Sequence, residues 1–235
     1  MSPVKETLRS VPLFASLTDE AITALDRQCI WRRYDADQEI VGQGEPDTDV
    51  YFVIAGQARV VIPAVKKRET LFRDIHAGSF FGELAAIDGR ERSASILAMT
   101  NATIARMPAL VFKNLMHENP AVCDVILGFL VNQIRTLTDR VNEFSNLNVR
   151  HRIYAELLRM ASPQSRKTAG NKAEAVISPP PYQHEIAARV ATHREAVSRE
   201  MKELEREGLL TKRRGALVLT DPSQLASRIE KALEE

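Results

Sequence analysis

The stretch YQHEIAARVATHREAVSREMKELEREGLLTKRRGALVLT, residues 182–220, changes pattern four times in a fixed order. A short helical segment from Tyr182 to Val190 is followed by a three-residue turn, Ala191-Thr192-His193, and a longer helical segment from Arg194 to Glu207. Gly208 then supplies the residue that can adopt a left-handed conformation after a helix. Two β runs, Leu209 to Lys212 and Ala216 to Thr220, flank Arg213-Arg214-Gly215 and read as a hairpin. Two helices crossing through a short turn must share a small core, and Ile186, Ala187, Val190, Val197, Met201 and Leu204 are spaced to form it. The order of elements is that of a winged helix-turn-helix.

With those apolar positions turned inward, Arg194, Glu195, Ser198 and Arg199 face outward at the start of the second helix, the part that enters a DNA major groove in this motif. Arginine can bond bidentately to guanine O6 and N7, and glutamate can accept from cytosine N4. His193, Lys202, Arg206, Lys212, Arg213 and Arg214 fall where a helix end and a wing meet phosphates, which adds affinity without reading sequence. A basic amphipathic helix standing alone is more often a solvated face. The turn, the glycine stop and the Arg-Arg-Gly hairpin arriving in order favour DNA. Glu200, Glu203, Glu205 and Glu207 pull the other way, and most are expected on the exposed back of the helix.

Upstream, residues 162–181 mix Ser, Lys, Asn and Gly with three consecutive prolines, Pro179 to Pro181, and read as a loop. Before it, from Pro120 to Leu147, apolar residues recur in steps of three and four: Ile126, Leu130, Ile134, Leu137, Val141, Phe144 and Leu147. That is one long helix with a seam close to an a/d stripe, and Arg135, Asp139, Arg140 and Glu143 lie on the other face. The seam points to a homodimer; the plainer alternative is a helix lying on its own domain.

From Trp31 to Met107 the pattern is instead short β-branched and aromatic runs, at residues 39–41, 50–54, 58–62, 70–75, 95–99 and 103–107, separated by Gly- and Asp-rich turns. This spacing predicts an antiparallel sandwich or roll. Short helices precede it, one of them begun by Thr18 with Asp19 and Glu20 in its first turn. The expected organisation is α+β: a roll domain at 1–118, a dimerisation helix and hinge at 119–149, and a winged helix-turn-helix at 150–235.

Within the roll, Phe81-Gly82-Glu83-Leu84-Ala85-Ala86-Ile87-Asp88-Gly89-Arg90-Glu91-Arg92-Ser93-Ala94-Ser95 is the segment richest in chemistry. Gly82 allows close approach of the backbone to a ligand, Arg92 offers a planar fork for a phosphate, and the Ser93 hydroxyl can add a hydrogen bond. Glu83 as an acceptor suits a ribose hydroxyl. The combination describes a site for a sugar phosphate, although a Gly-Glu beside an arginine-rich loop can also be an ordinary turn with a surface ion pair.

Composition narrows the alternatives. In 235 residues of 44% hydrophobic composition there is room for two compact domains, and the net charge of +1 decides nothing about nucleic acid. No apolar run approaches the roughly 20 residues of a membrane span, and the first thirty residues lack a signal-peptide pattern, so a cytoplasmic protein is expected. Cys29 and Cys123 lack the spacing of a zinc or iron-sulfur site; two reduced, buried thiols and no metal are expected. An enzyme using Asp88, His76 and His117 lacks any nucleophile-base-orienter spacing, and the two histidines read as surface or strand-end residues.

The segment from Phe81 to Ser95 resembles the phosphate-binding cassette of cyclic-nucleotide-binding domains, in particular those of the cyclic AMP receptor protein and fumarate-nitrate regulator (CRP/FNR) family. The glycines at 44, 56, 78 and 82, the long helix and the winged module follow in that family's order, so the resemblance covers nearly the whole chain. It implies a cyclic nucleotide, cAMP or cGMP, contacted by Phe81, Gly82, Glu83, Leu84, Ala85, Arg92, Ser93 and Ala94, with Glu83 on the ribose 2′-hydroxyl and Gly82, Arg92 and Ser93 on the phosphate. It also implies base reading by Arg194, Glu195 and Arg199, a homodimer on a palindromic operator, and RNA polymerase as a partner. Where the family places two adjacent hydroxyl residues against the base, this chain has Leu137 and Thr138, so one polar contact is missing. The same fold gated by another effector, or by none, is the alternative reading.

Overall fold

The computed structural model describes residues 7–62, 70–167 and 173–234. By its internal contacts the chain divides into two units, Met1–Gln133 and Ile134–Glu235.

The first unit begins with two 3-10 turns and α1 (Asp19–Asp26), whose Thr18 hydroxyl accepts from the Ala21 amide as a cap. Strands β1 (Ile30–Tyr34), β2 (Glu39–Val41), β3 (Val50–Ala55), β4 (Gln57–Ile62), β5 (Thr70–His76) and β6 (Phe80–Phe81) follow, then the short α2 (Glu83–Asp88), β7 (Ser95–Ala98), β8 (Ala102–Met107) and α3 (Ala109–Glu118). All pairings are antiparallel, in two four-stranded sheets of order β1-β8-β3-β6 and β2-β7-β4-β5. This is the roll predicted from the alternating runs. Its interior is apolar, with Val41, Tyr51, Val53, Ile75, Ile96 and Ile104 on one side. A second core joins Phe52, Phe80 and Met107 to the helices through Leu8, Phe14, Phe112, Val122 and Ile126. The β3–β4 turn needs Gly56: its φ is +84°, and a Cβ there would lie 2.4 Å from the Asn101 carbonyl oxygen.

The long helix α4 (Pro120–Asn146) starts on this core and continues into the second unit. Its seam differs from the predicted one. Ile126 is fully buried and Leu130 packs against the roll core, while Leu147 is buried after the helix ends. The solvent-facing stripe instead runs through Leu127, Val131, Ile134, Leu137, Val141 and Phe144, each at least 42% exposed. Periodicity marks the apolar face but cannot say which part of it an adjacent core has already covered. Arg140, expected on the solvated face, is half-buried and paired with Glu156. Among the described helices α4 alone is long and apolar enough to cross a membrane. No unbroken apolar run anticipated this, because Asp124 interrupts the sequence.

The second unit continues with α5 (Val149–Met160), begun by Asn148, whose side chain accepts from the His151 amide. Leu147-Asn148 separates α4 from α5. Two strands come next, β9 (Ser162–Lys167) and β10 (Ala173–Ile177). The loop reading of 162–181 is therefore corrected: most of it is an antiparallel pair, with residues 168–172 outside the described residues. After α6 (Gln183–Arg189) and α7 (Arg194–Arg206) come β11 (Leu210–Arg213), β12 (Ala216–Leu219) and α8 (Pro222–Glu234), the last begun by Asp221, which accepts from the Gln224 amide. The sheet order β11-β12-β10-β9 shows what the prolines hid, since β10 pairs with the wing strand β12 across more than forty residues of sequence. All six residues assigned to the helix-turn-helix core are buried. Gly208 ends α7 with φ +73°, and the Leu209 amide donates back to Leu204 at 2.9 Å.

Of the two cysteines, Cys29 is buried, but Cys123 is only partly so, which corrects the expectation of two buried thiols. Burial and the nearby Asp26 push the Cys29 thiol up to about 12.

Candidate functional sites

The cassette is assembled where β6 runs into α2. Gly82 lies between them with φ +88°, in the left-handed region, and a Cβ there would fall 2.5 Å from Arg92 Nη1. Glycine is thus required both by the backbone and by the guanidinium packed against it. Phe81 is buried and stacks on Tyr51, with ring centroids 5.0 Å apart and planes 4° from parallel. The Arg92 guanidinium lies 5.3 Å from the Tyr51 centroid.

Arg92 is only 5% exposed, an unusual position for an arginine and one that needs partners. Its Nη1 donates to the Gly82 carbonyl at 3.1 Å, and its Nη2 to Asp47 Oδ2 at 2.5 Å and to the Asp49 carbonyl at 2.6 Å. Its Nε is buried and has no hydrogen-bond partner among the described residues. The β2–β3 loop is clamped around the same residue by main-chain bonds in both directions, Gly44 N–H to Arg92 O and Arg92 N–H to Glu45 O. Arg106 completes a four-membered ion network, bonding Asp49 at 2.6 Å and Asp47 at 3.1 Å. The Tyr51 hydroxyl donates to Asp47 at 2.7 Å. Burial works against a charged Asp47, but the hydrogen bonds from Arg92 and Tyr51 outweigh it and hold this carboxyl below its ordinary value.

Glu83 is 6% exposed, and burial raises its carboxyl above the ordinary range, opposed by its own backbone amide and by the fields of Arg73 and Arg92. A buried, under-compensated acceptor beside an arginine is suited to a neutral hydroxyl donor. Ala85 is buried, Ala94 half-buried, and Leu84 and Ser93 are exposed. The structure therefore brings Phe81, Gly82, Glu83, Ala85 and Arg92 together. Leu137 and Thr138 belong to the second unit, where the Thr138 hydroxyl donates to the Ile134 carbonyl of its own helix at 3.0 Å. His76 and His117 are exposed at a strand end and on α3.

Sequence reasoning missed Asp47, Asp49, Tyr51 and Arg106. The alternation Asp47-Thr48-Asp49 just ahead of an apolar strand was a usable sign that acidic side chains close the cassette.

In the second unit, Arg194, Glu195, Ser198, Arg199 and Lys202 line one open concavity on α7 with Gln183, Glu203 and Arg206. His193 caps α7 through its backbone position only and is exposed, as are Arg194, Glu195, Arg199, Lys202 and Arg214. Two expectations change. Glu200 is 6% exposed rather than on a solvated back; it accepts from the Tyr154 hydroxyl at 2.6 Å and from Arg150 at 3.1 Å. Arg213 is held bidentately by Glu174 of β10, at 2.8 and 2.9 Å, so the wing contains an internal competitor for phosphate. Behind this face Glu156 on α5 is 1% exposed and accepts from Arg140 of α4 at 3.0 Å and from Arg159, with Arg189 of α6 at 3.7 Å.

Known proteins agree with this arrangement. Residues 31–119 match the cyclic nucleotide-binding domain family and residues 151–228 the Crp-like helix-turn-helix domain family. The chain is 26% identical over 195 residues to the "cAMP-activated global transcriptional regulator CRP" of Salmonella typhimurium, covering 83% of this chain and 91% of that one. It is 22% identical over 223 residues to the "CRP-like cAMP-activated global transcriptional regulator" of Mycobacterium tuberculosis, covering 95% and 98%. Among solved structures, a CooA variant from Carboxydothermus hydrogenoformans shares the fold with a TM-score of 0.77 at 20% identity, covering 93% of this chain and 95% of that one. FixK2 from Bradyrhizobium japonicum gives a TM-score of 0.69 at 19% identity, covering 85% and 96%. Both sequence relatives are named as transcriptional regulators. With a cyclic nucleotide-binding domain ahead of a Crp-like helix-turn-helix, the chain belongs to the CRP/FNR family of transcription regulators.

Proposed function

We propose that this protein is a cytoplasmic, homodimeric regulator that binds a palindromic operator when a cyclic nucleotide, cAMP or cGMP, occupies the cassette. The observation that carries the proposal is Arg92: an arginine 5% exposed, locked beside Gly82, with a buried Nε that has no hydrogen-bond partner among the described residues. An unsatisfied buried donor costs about 1–3 kcal/mol, and a phosphate oxygen is the acceptor that a planar guanidinium meets best. Glu83 accepts the ribose 2′-hydroxyl, and Gly82, Ser93 and Ala94 stand beside the phosphate. The names of the sequence relatives, which call them cAMP-activated, support a nucleotide effector.

The exposed stripe on α4 supports a dimer, because six large apolar side chains in one row need a partner surface. Twofold symmetry then sets two α7 helices toward half-sites about 34 Å apart, and RNA polymerase is the partner expected of a regulator so placed. A ligand gates this only through its differential affinity for the two states. A second reading, a regulator of the same fold with a cassette that needs no ligand, is favoured by the ion pairing of Arg92 with Asp47.

Calorimetric titration of the full chain with each nucleotide tests the assignment. Binding by the wild type that is lost in a folded Arg92→Ala variant is the expected result; full binding by that variant removes Arg92 from the pocket.

A further inference from the structure

A second arginine, half-buried Arg73, lies close enough to Glu83 for their charges to interact, and the cassette reading leaves it unused. Arg73 lies on β5, with its Cζ 5.3 Å from the centroid of Phe129, on the part of α4 that packs against the roll. Phe129 in turn meets Phe80 with centroids 4.7 Å apart. Phe80 and Phe81 are successive strand residues and point to opposite faces. Phe81 leads to Tyr51 and Arg92, whereas Phe80 leads to Phe129 and Arg73. Glu83 follows two residues after Phe81, and its carboxyl lies in the fields of both Arg73 and Arg92. Burial lowers the Arg73 pKa, and Glu83 opposes that shift. Unlike Arg92, Arg73 spends none of its donors on another described residue, and its contact is the ring face of Phe129.

In a cyclic nucleotide the phosphate bridges O3′ and O5′, and the base is carried by C1′, next to the carbon bearing the 2′-hydroxyl. With its phosphate at Arg92 and its 2′-hydroxyl on Glu83, the nucleotide sends its base away from Arg92, toward Arg73 and Phe129. We propose that Arg73 reads the base, and that its two parallel N–H donors select guanine, whose O6 and N7 both accept, over adenine, whose N6 amino group donates. The inference rests on the nucleotide reading above and narrows the effector to a guanine cyclic nucleotide.

Titration of the full-length protein with cGMP and with cAMP, for the wild type, Arg73→Lys and Arg73→Ala, tests it. The wild type should bind cGMP about tenfold or more tightly than cAMP, the discrimination a bidentate arginine provides. Both variants should lose that ratio through weaker cGMP binding. Arg73→Lys keeps a positive charge beside Glu83, so its result separates loss of the planar fork from loss of the counter-charge. A wild type that prefers cAMP, or a ratio unchanged in Arg73→Lys, overturns the inference and leaves the cassette assignment standing. Binding of neither nucleotide by the wild type overturns the cassette assignment, and this inference with it.

Discussion

Replacing Glu156 by glutamine tests the claim that the helix-turn-helix is fastened to the end of the long helix through a buried charge. The Glu156 side chain is 2% exposed, and its partners Arg189 and Arg140 are 6% and 12% exposed, so water replaces little of what the carboxylate supplies. Arg159 is less dependent, because Glu143 also holds it at 2.5 Å. Removing one partner of a buried ion pair costs about 3–5 kcal/mol; glutamine keeps one acceptor, which places the expected loss near the lower end, about 3 kcal/mol. At a urea dependence of about 1.5 kcal/mol per molar, that is a midpoint lowered by about 2 M. The molecule supplies its own control: the single tryptophan, Trp31, lies in the first unit and bonds the Asp26 carbonyl at 3.1 Å. Far-UV ellipticity should therefore show an early transition from the helical second unit, while Trp31 fluorescence keeps the wild-type midpoint. An ellipticity transition within about 0.5 M of wild type would mean that the arginines around Glu156 do not need it.

Two further outcomes follow from the first unit. Gly56→Ala combines a left-handed φ with a Cβ 2.4 Å from one backbone oxygen and 2.8 Å from the Ala102 Cα; it should cost at least about 2 kcal/mol, read as an earlier Trp31 transition in urea, and an unchanged midpoint would refute the close approach. Ellman's reagent at pH 8 should titrate one thiol promptly, the half-buried Cys123, and Cys29 only after denaturation, since burial holds it protonated; two prompt equivalents would contradict the packing of Cys29.

The parts of the fold legible in the sequence were those that depend on neighbours along the chain. Gly208 stopping α7, Thr18 opening α1, and the alternation in β3 and β4 are local; α1 begins at the expected cap, and α7, β3 and β4 came out within a residue or two of their expected limits. Helix α8 was equally legible, through Asp221-Pro222 at its start, but went unread. What stayed hidden depends on distant partners. β9 and β10 carry poor strand sequence: β10 is held by pairing with the wing strand β12, and β9 by pairing with β10. The seam of α4 shifts because the roll covers Ile126 first. In the candidate sites, Gly82, Glu83 and Arg92 declared themselves by residue type and spacing. Asp47, forty-five residues from Arg92, and Glu174, thirty-nine from Arg213, could be found only once the strands had brought them together.

The most direct test of the whole account is the affinity of the full-length protein for a palindromic duplex, measured by fluorescence anisotropy with and without saturating cyclic nucleotide, for the wild type and for Arg92→Ala. The account predicts that nucleotide tightens binding at least about tenfold, a coupling of about 1.4 kcal/mol, and that Arg92→Ala binds DNA but no longer responds. Equal affinity with and without nucleotide in the wild type would contradict it: the winged module would remain a DNA-binding domain, and the cassette would not be its switch.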